Sequence, residues 1–138
     1  MTFLLDTNVV SELRRPSADA NVVRWAESLT KRNAFLSVVT IREIEAGVIL
    51  VERRDPSQGA WLRAWLEEQV LIEYADRLLP VDLPVARRAA TLHVPDPRPE
   101  RDALIAATAL VHGLIVVTRN VRDFEPTGVD ALNPWLAP

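Results

Sequence analysis

Asp102-Ala103-Leu104-Ile105-Ala106-Ala107-Thr108-Ala109-Leu110-Val111-His112-Gly113-Leu114-Ile115-Val116-Val117 is the stretch that decides the fold. Residues 102–112 contain neither glycine nor proline and are rich in alanine, the strongest helix former. An acid stands at the start, a histidine in the last turn and a glycine just beyond it, the order of signals that bounds a helix. Leu114-Ile115-Val116-Val117 is then a short unbroken apolar run, which reads as a strand buried on both faces.

The same alternation extends along the rest of the chain. Residues 2–5 form a short apolar strand ending at Asp6, followed by a helix over 8–14 that Pro16 stops. Residues 21–29 are helical, with Val22, Val23, Trp25, Ala26 and Leu29 on one face. A strand over 34–38 leads into a helix from about residue 41 to 53. Asp55-Pro56-Ser57 and Gly59 mark a break, after which Trp61, Leu62, Trp65, Leu66 and Val70 recur at helical spacing. Residues 78–81 are strand-like, Pro84 opens another helix, and Pro95-Asp96-Pro97-Arg98-Pro99 is a loop leading to the decisive helix. Residues 129–132 form a last short strand. No internal repeat or low-complexity stretch interrupts this order. It predicts one α/β domain spanning 1–138, with a largely parallel sheet covered by helices on both faces. In such sheets ligands bind outside the carboxyl ends of the strands.

Composition narrows the classes. The chain has 138 residues, 49% hydrophobic and 25% charged, the balance of a soluble globular domain. With no cysteine, disulfides and thiolate metal sites are excluded. Asp6 follows the start too soon for a signal peptide, and no apolar run approaches the roughly 20 residues that cross a bilayer. A cytoplasmic protein with no membrane association is expected. The net charge of −3 lacks the basic footprint of most nucleic-acid binders. Its cations are nonetheless almost all arginine, the planar fork that suits phosphate, and Lys31 is the lone lysine.

Acids recur where the sheet rule says to look. Asp6 follows the first strand, Glu43 lies in the first turn of the helix after the second, and Asp102 opens the helix before the fourth. Asn120 and Asp123 follow that fourth strand. If the first and fourth strands are neighbours, these side chains converge on one edge, where their mutual repulsion calls for a cation. Magnesium meets that need with oxygen ligands, usually keeping several waters. Each acid also has a purely structural use. Asp6 suits an N-cap, Thr40 with Glu43 has capping-box spacing, Asp102 complements a helix dipole, and Asp123 fits an Asx-turn. Arg119 and Arg122 share the loop with the last acids, where either phosphate contact or plain exposure accounts for them. His93 and His112 read as helix-end residues, and Trp61 and Trp65 as core or dimer contacts.

Four segments, in order, resemble the motifs of PIN-domain toxins of the VapC type, the ribonuclease halves of type II toxin–antitoxin pairs. They are Leu4-Leu5-Asp6-Thr7-Asn8-Val9-Val10-Ser11-Glu12-Leu13, Leu36-Ser37-Val38-Val39-Thr40-Ile41-Arg42-Glu43-Ile44-Glu45-Ala46-Gly47-Val48, Asp102-Ala103-Leu104-Ile105-Ala106-Ala107-Thr108-Ala109 and Val117-Thr118-Arg119-Asn120-Val121-Arg122-Asp123-Phe124. The ending Asn133-Pro134-Trp135 is similar to one VapC branch. The resemblance covers essentially the whole chain.

It implies a three-layer α/β/α sandwich, a homodimer, and a hetero-oligomer with an antitoxin whose C-terminal segment blocks the site. It also implies endonucleolytic hydrolysis of RNA, with tRNA or rRNA as the usual target, dependent on magnesium or, as a substitute, manganese. Asp6, Glu43 and Asp102 fall on the family's acidic positions and become the expected metal ligands. Asn120 stands where many members carry Asp, so either Asn120 or Asp123 completes the catalytic set. Thr7, Asn8, Thr118 and Arg119 are the expected hydrogen-bonding or phosphate-contacting neighbours. A haloacid-dehalogenase-like phosphatase would need a second Asp where Asn8 stands, together with a lysine partner. A response-regulator receiver would need paired acids and a lysine after its fifth strand. An interaction module whose acids are helix caps is the non-enzymatic alternative.

Overall fold

Residues 1–137 are described by a computed structural model. Five short strands, β1 (Phe3–Leu5), β2 (Ala34–Ser37), β3 (Leu78–Leu79), β4 (Ile115–Val117) and β5 (Ala131–Leu132), form one sheet in the order β3-β2-β1-β4-β5. All pairings are parallel, with Phe3 opposite Ala34 on one side and Ile115 on the other. β1 and β4 are adjacent, as the convergence of the acids requires.

Alternation along the strands separates two cores. Phe3, Leu5 and Val117 point to one face and Leu4 and Val116 to the other. The first face packs against α1 (Thr7–Arg14), α2 (Ala20–Ser28), α3 (Val38–Arg54) and α4 (Pro56–Trp65) through Val9, Val22, Ile44, Val48 and Trp65. The second packs against α7 (Glu100–His112) and α8 (Val121–Phe124) through Ile105, Ala106, Ala109 and Phe124. α6 (Leu83–Leu92) lies on α7, with Val85 and Ala89 against Ala107. The result is the expected α/β/α sandwich. The alanines of α7 let it approach both neighbours closely.

Several boundaries differ from expectation for identifiable reasons. α3 begins at Val38, because the Ser37 hydroxyl accepts the Val39 N–H at 3.0 Å and caps it. Thr40 therefore lies inside the helix, fully buried, and Glu43 sits one turn deeper than expected. The capping-box pairing of Thr40 with Glu43 does not form. Gly59 does not break the chain. Asp55 caps α4 with Pro56 at its first position, and Gly59 is buried within it. Beyond Trp65 the backbone continues as a π-helical turn (Leu66–Val70) and the short α5 (Leu71–Glu73). Gly113 adopts φ +68°, the left-handed stop that the sequence indicates.

Trp65 is in the core and Trp61 is half exposed, with the Arg14 guanidinium over both rings. His93 and His112 both lie at helix ends. No helix among the described residues is long and apolar enough to cross a membrane.

Candidate active site

Strand order creates one topological switch point, between β1 and β4, where connections leave in opposite directions. Asp6 stands at the carboxyl end of β1 and Thr118 at that of β4. The Asp6 N–H donates to the Val117 carbonyl at 2.9 Å, extending the pairing one residue beyond the strands. Glu43 comes from the second turn of α3, which departs from the same edge after β2. α7 enters β4 through Gly113 at the opposite edge, so its first turn, with Arg101 and Asp102, returns to the switch point. Four elements distant in sequence thus deliver side chains to one place.

At the centre is the guanidinium of Arg101. Its Nε donates to Glu43 Oε1 at 2.9 Å, Nη1 to Asp102 Oδ1 at 3.1 Å, and Nη2 to Asp6 Oδ1. Thr7 bridges two of these groups, donating its hydroxyl to Glu43 Oε1 at 2.6 Å and accepting from Arg101 Nη2 at 3.4 Å. Asp6 is 1% exposed. Its Oδ1 also accepts the Thr7 N–H at 2.8 Å, so Asp6 caps α1 as well as facing the site.

Burial works against the Glu43 charge. Hydrogen bonds from Arg101 and Thr7 and the charges of Arg101 and Arg42 outweigh it, holding that carboxyl below the usual glutamate range. Arg101 is likewise disfavoured by burial, but Glu43 and Asp6 raise its pKa further, so it stays a cation throughout.

Thr118, fully buried, donates its hydroxyl to Asp6 Oδ2 at 2.8 Å and accepts from the Asn120 N–H at 3.1 Å and Asn8 Nδ2 at 3.4 Å. The Arg119 N–H donates to Asn8 Oδ1 at 3.4 Å, while the exposed Arg119 side chain lies over the Trp135 ring at 5.2 Å. Asp6, Glu43, Asp102, Thr7, Asn8 and Thr118 are therefore joined in one network. Asn120 belongs to its rim through its backbone. Neither the Asn120 side chain nor that of Asp123, one turn into α8, bonds to the three acids; both residues are exposed.

Sequence reasoning missed Arg101. The only signal was its place beside Asp102, which does not distinguish a buried partner from a surface charge.

The three acids gather around the guanidinium rather than against each other. Among the described residues, no three Asp, Glu or His side chains stand close enough together to surround one ion directly. Their chemistry nonetheless fits a hard divalent cation. All the donors are carboxylate oxygens, they converge on one positive group, and magnesium requires only one or two carboxylates beside its waters.

Comparison with known proteins identifies the family of the fold. The PIN domain model matches residues 3–128. The toxin FitB of Neisseria gonorrhoeae is 38% identical over 96% of this chain and 97% of its own length. The VapC ribonuclease Y4jK of Sinorhizobium fredii is 36% identical over 96% of each chain. The crystal structure of FitAcB from Neisseria gonorrhoeae superposes with a TM-score of 0.90 at 37% identity, covering 97% of this chain and 99% of that one. The chain belongs to the PIN-domain family and, within it, resembles toxins of the VapC and FitB type along nearly its entire length.

Proposed function

We propose that residues 1–138 form a single metal-dependent endoribonuclease domain, the toxin of a type II toxin–antitoxin pair, which hydrolyses RNA phosphodiester bonds at the switch point between β1 and β4. The observation that carries this reading is that Asp6, Glu43 and Asp102, from three separate elements, converge on one cation-holding centre beside a strand edge. Helix caps have no need to converge in this way. The relatives named toxin and VapC ribonuclease supply the reaction class.

Asp6 and Asp102 are the main ligands for magnesium or manganese, with Glu43 at their side. A divalent ion there supplies charge stabilisation on the scissile phosphate and lowers the pKa of the attacking water. Thr118 and Thr7 hold Asp6 and Glu43 in place, since each hydroxyl donates to one carboxylate. Asn120 or Asp123 orients the water from the β4 side. Arg119, exposed at the rim, meets a substrate phosphate. The substrate is a tRNA or rRNA, the working form is a homodimer, and a cognate antitoxin shuts the site in a hetero-oligomer, all in the cytoplasm.

The test is cleavage of total RNA by the purified chain with magnesium or manganese, with excess chelator, and with Asp6→Asn. Cleavage that needs the ion and disappears in a folded Asp6→Asn protein supports the reading. Equal cleavage by Asp6→Asn, or none under any condition from the antitoxin-free chain, removes it.

A further inference from the structure

We propose that Arg101 is the site's own counter-ion, and that its guanidinium and a divalent ion occupy the acidic centre in alternation. The inference rests on the metal-centre reading above and adds to it a competing cation supplied by the chain itself.

The geometry leads there in three steps. Asp6 is almost wholly buried, and a carboxylate removed from water needs a compensating charge. Arg101 provides it, and its donors also take up Glu43 and Asp102, so one planar fork serves three acids. Second, the oxygens facing the guanidinium are the ones an ion would use. Magnesium needs them at about 2.0–2.1 Å, whereas the guanidinium keeps Glu43 and Asp102 at 2.9 and 3.1 Å from its nitrogens. Glu43 and Asp102 are spaced for the wider cation, and among the described residues no three acids stand close enough together for direct closure round an ion. Both positive groups cannot occupy one set of oxygens, and their repulsion opposes simultaneous binding. Third, the side chain has somewhere to go. Arg101 sits in the first turn of α7 and is 31% exposed, so its flexible stem can carry the guanidinium outward to the rim. Released there, it would stand beside the entering phosphate rather than beneath it.

The two cations are thus negatively linked, and each weakens the other's hold by the same factor. Arg101 acts on the chemistry by setting when the carboxylates are free for the ion.

Manganese binding to the full chain, measured by titration calorimetry, tests this without reference to cleavage. Arg101→Gln should bind manganese about tenfold more tightly than the wild type, or better, because a like charge has been removed. The metal-free variant should melt below the wild type, and saturating manganese should raise its melting temperature by more. Should Arg101→Gln fail to fold, a magnesium titration of the 15N-labelled wild type replaces it. The Arg101 Nε–Hε resonance should then move and begin to exchange with solvent at the half-saturation of ion binding.

Equal or weaker manganese binding by a folded Arg101→Gln overturns the inference alone. So does an Arg101 signal that stays unmoved while the ion binds. If neither chain binds manganese or magnesium, the metal-centre reading falls with it.

Discussion

The hydroxyl of Thr118 donates a 2.8 Å hydrogen bond to Oδ2 of Asp6, joining the ends of β4 and β1 where the sheet changes direction. Both residues are shielded from water, so the bond holds a charged oxygen that has no solvent to fall back on. Thr118→Val keeps the shape and removes the donor. It should cost about 1–3 kcal/mol of stability, read by denaturant unfolding, because a buried acceptor is left partly unsatisfied. Thr118→Ser should recover most of the loss. Equal stability of the valine and serine variants would assign the site's rigidity to packing instead.

Thr118 also sets an order among the residues at the rim. It accepts the Asn120 N–H, and Asn120 is therefore one contact from Asp6, whereas Asp123 lies a further turn along α8. Asn120→Ala keeps that backbone bond and removes only the carboxamide held at the rim. With that carboxamide as the proposed fourth member of the site, the variant should lower ion-dependent RNA cleavage by about tenfold or more. Asp123→Ala should cost less. The reverse ranking in a cleavage assay would make Asp123 the fourth member of the site.

Much of this was legible in the chain. The alanine-rich run ended by Gly113 gave α7 and β4 together, and the short apolar run before Asp6 gave β1, because glycine stops and buried strands are local signals. Parallel pairing of β1 with β4 then brought Asp6, Glu43 and Asp102 to one edge. Other features were hidden. Ser37 and Thr40 are both plausible caps, and only the burial of Thr40 in the folded chain decides for Ser37. The π-helical turn after Trp65 shares the apolar spacing of an α-helix, so its different hydrogen bonding leaves no trace in the pattern. Arg101 was invisible for a different reason. Its importance comes from three partners that are 58 to 95 residues away or immediately adjacent, and an arginine between two acids looks like surface.

Two glycines placed in similar helices should respond oppositely to alanine. Gly59 sits where α4 crosses α3, and an added Cβ would fall 2.5 Å from the Glu52 Cα. That backbone cannot yield, so Gly59→Ala should destabilise by about 1–3 kcal/mol despite alanine's better helix propensity. Gly47, exposed on α3, has nothing within 4 Å of its Cβ position. Gly47→Ala should stabilise by about 0.5–1 kcal/mol, the ordinary gain for an unhindered helix interior. Thermal melts of the two variants read the contrast directly. A stable Gly59→Ala protein would mean that the helices do not approach this closely.

The same crossing carries a pH-dependent contribution. Arg63 on α4 grips Glu52 on α3 with two bonds, Nη2 to Oε1 at 2.9 Å and Nε to Oε2 at 3.2 Å, and also pairs with Glu45. The Arg63 hydrogen bond holds the Glu52 carboxyl below its ordinary value against a smaller opposing effect of desolvation. A depressed carboxyl pKa stabilises the fold fully above the unfolded value, about 4.3, and the contribution disappears as pH falls through the lower folded value. Glu52→Gln should therefore melt below the wild type at neutral pH, by a small margin because the pair faces solvent. The margin should persist down to about pH 5, narrow below about 4.3, and close once Glu52 is protonated in the folded chain. Added salt should shrink it at neutral pH through screening. A gap that is unchanged at acid pH would trace the loss to the shape of the glutamine rather than to the missing charge.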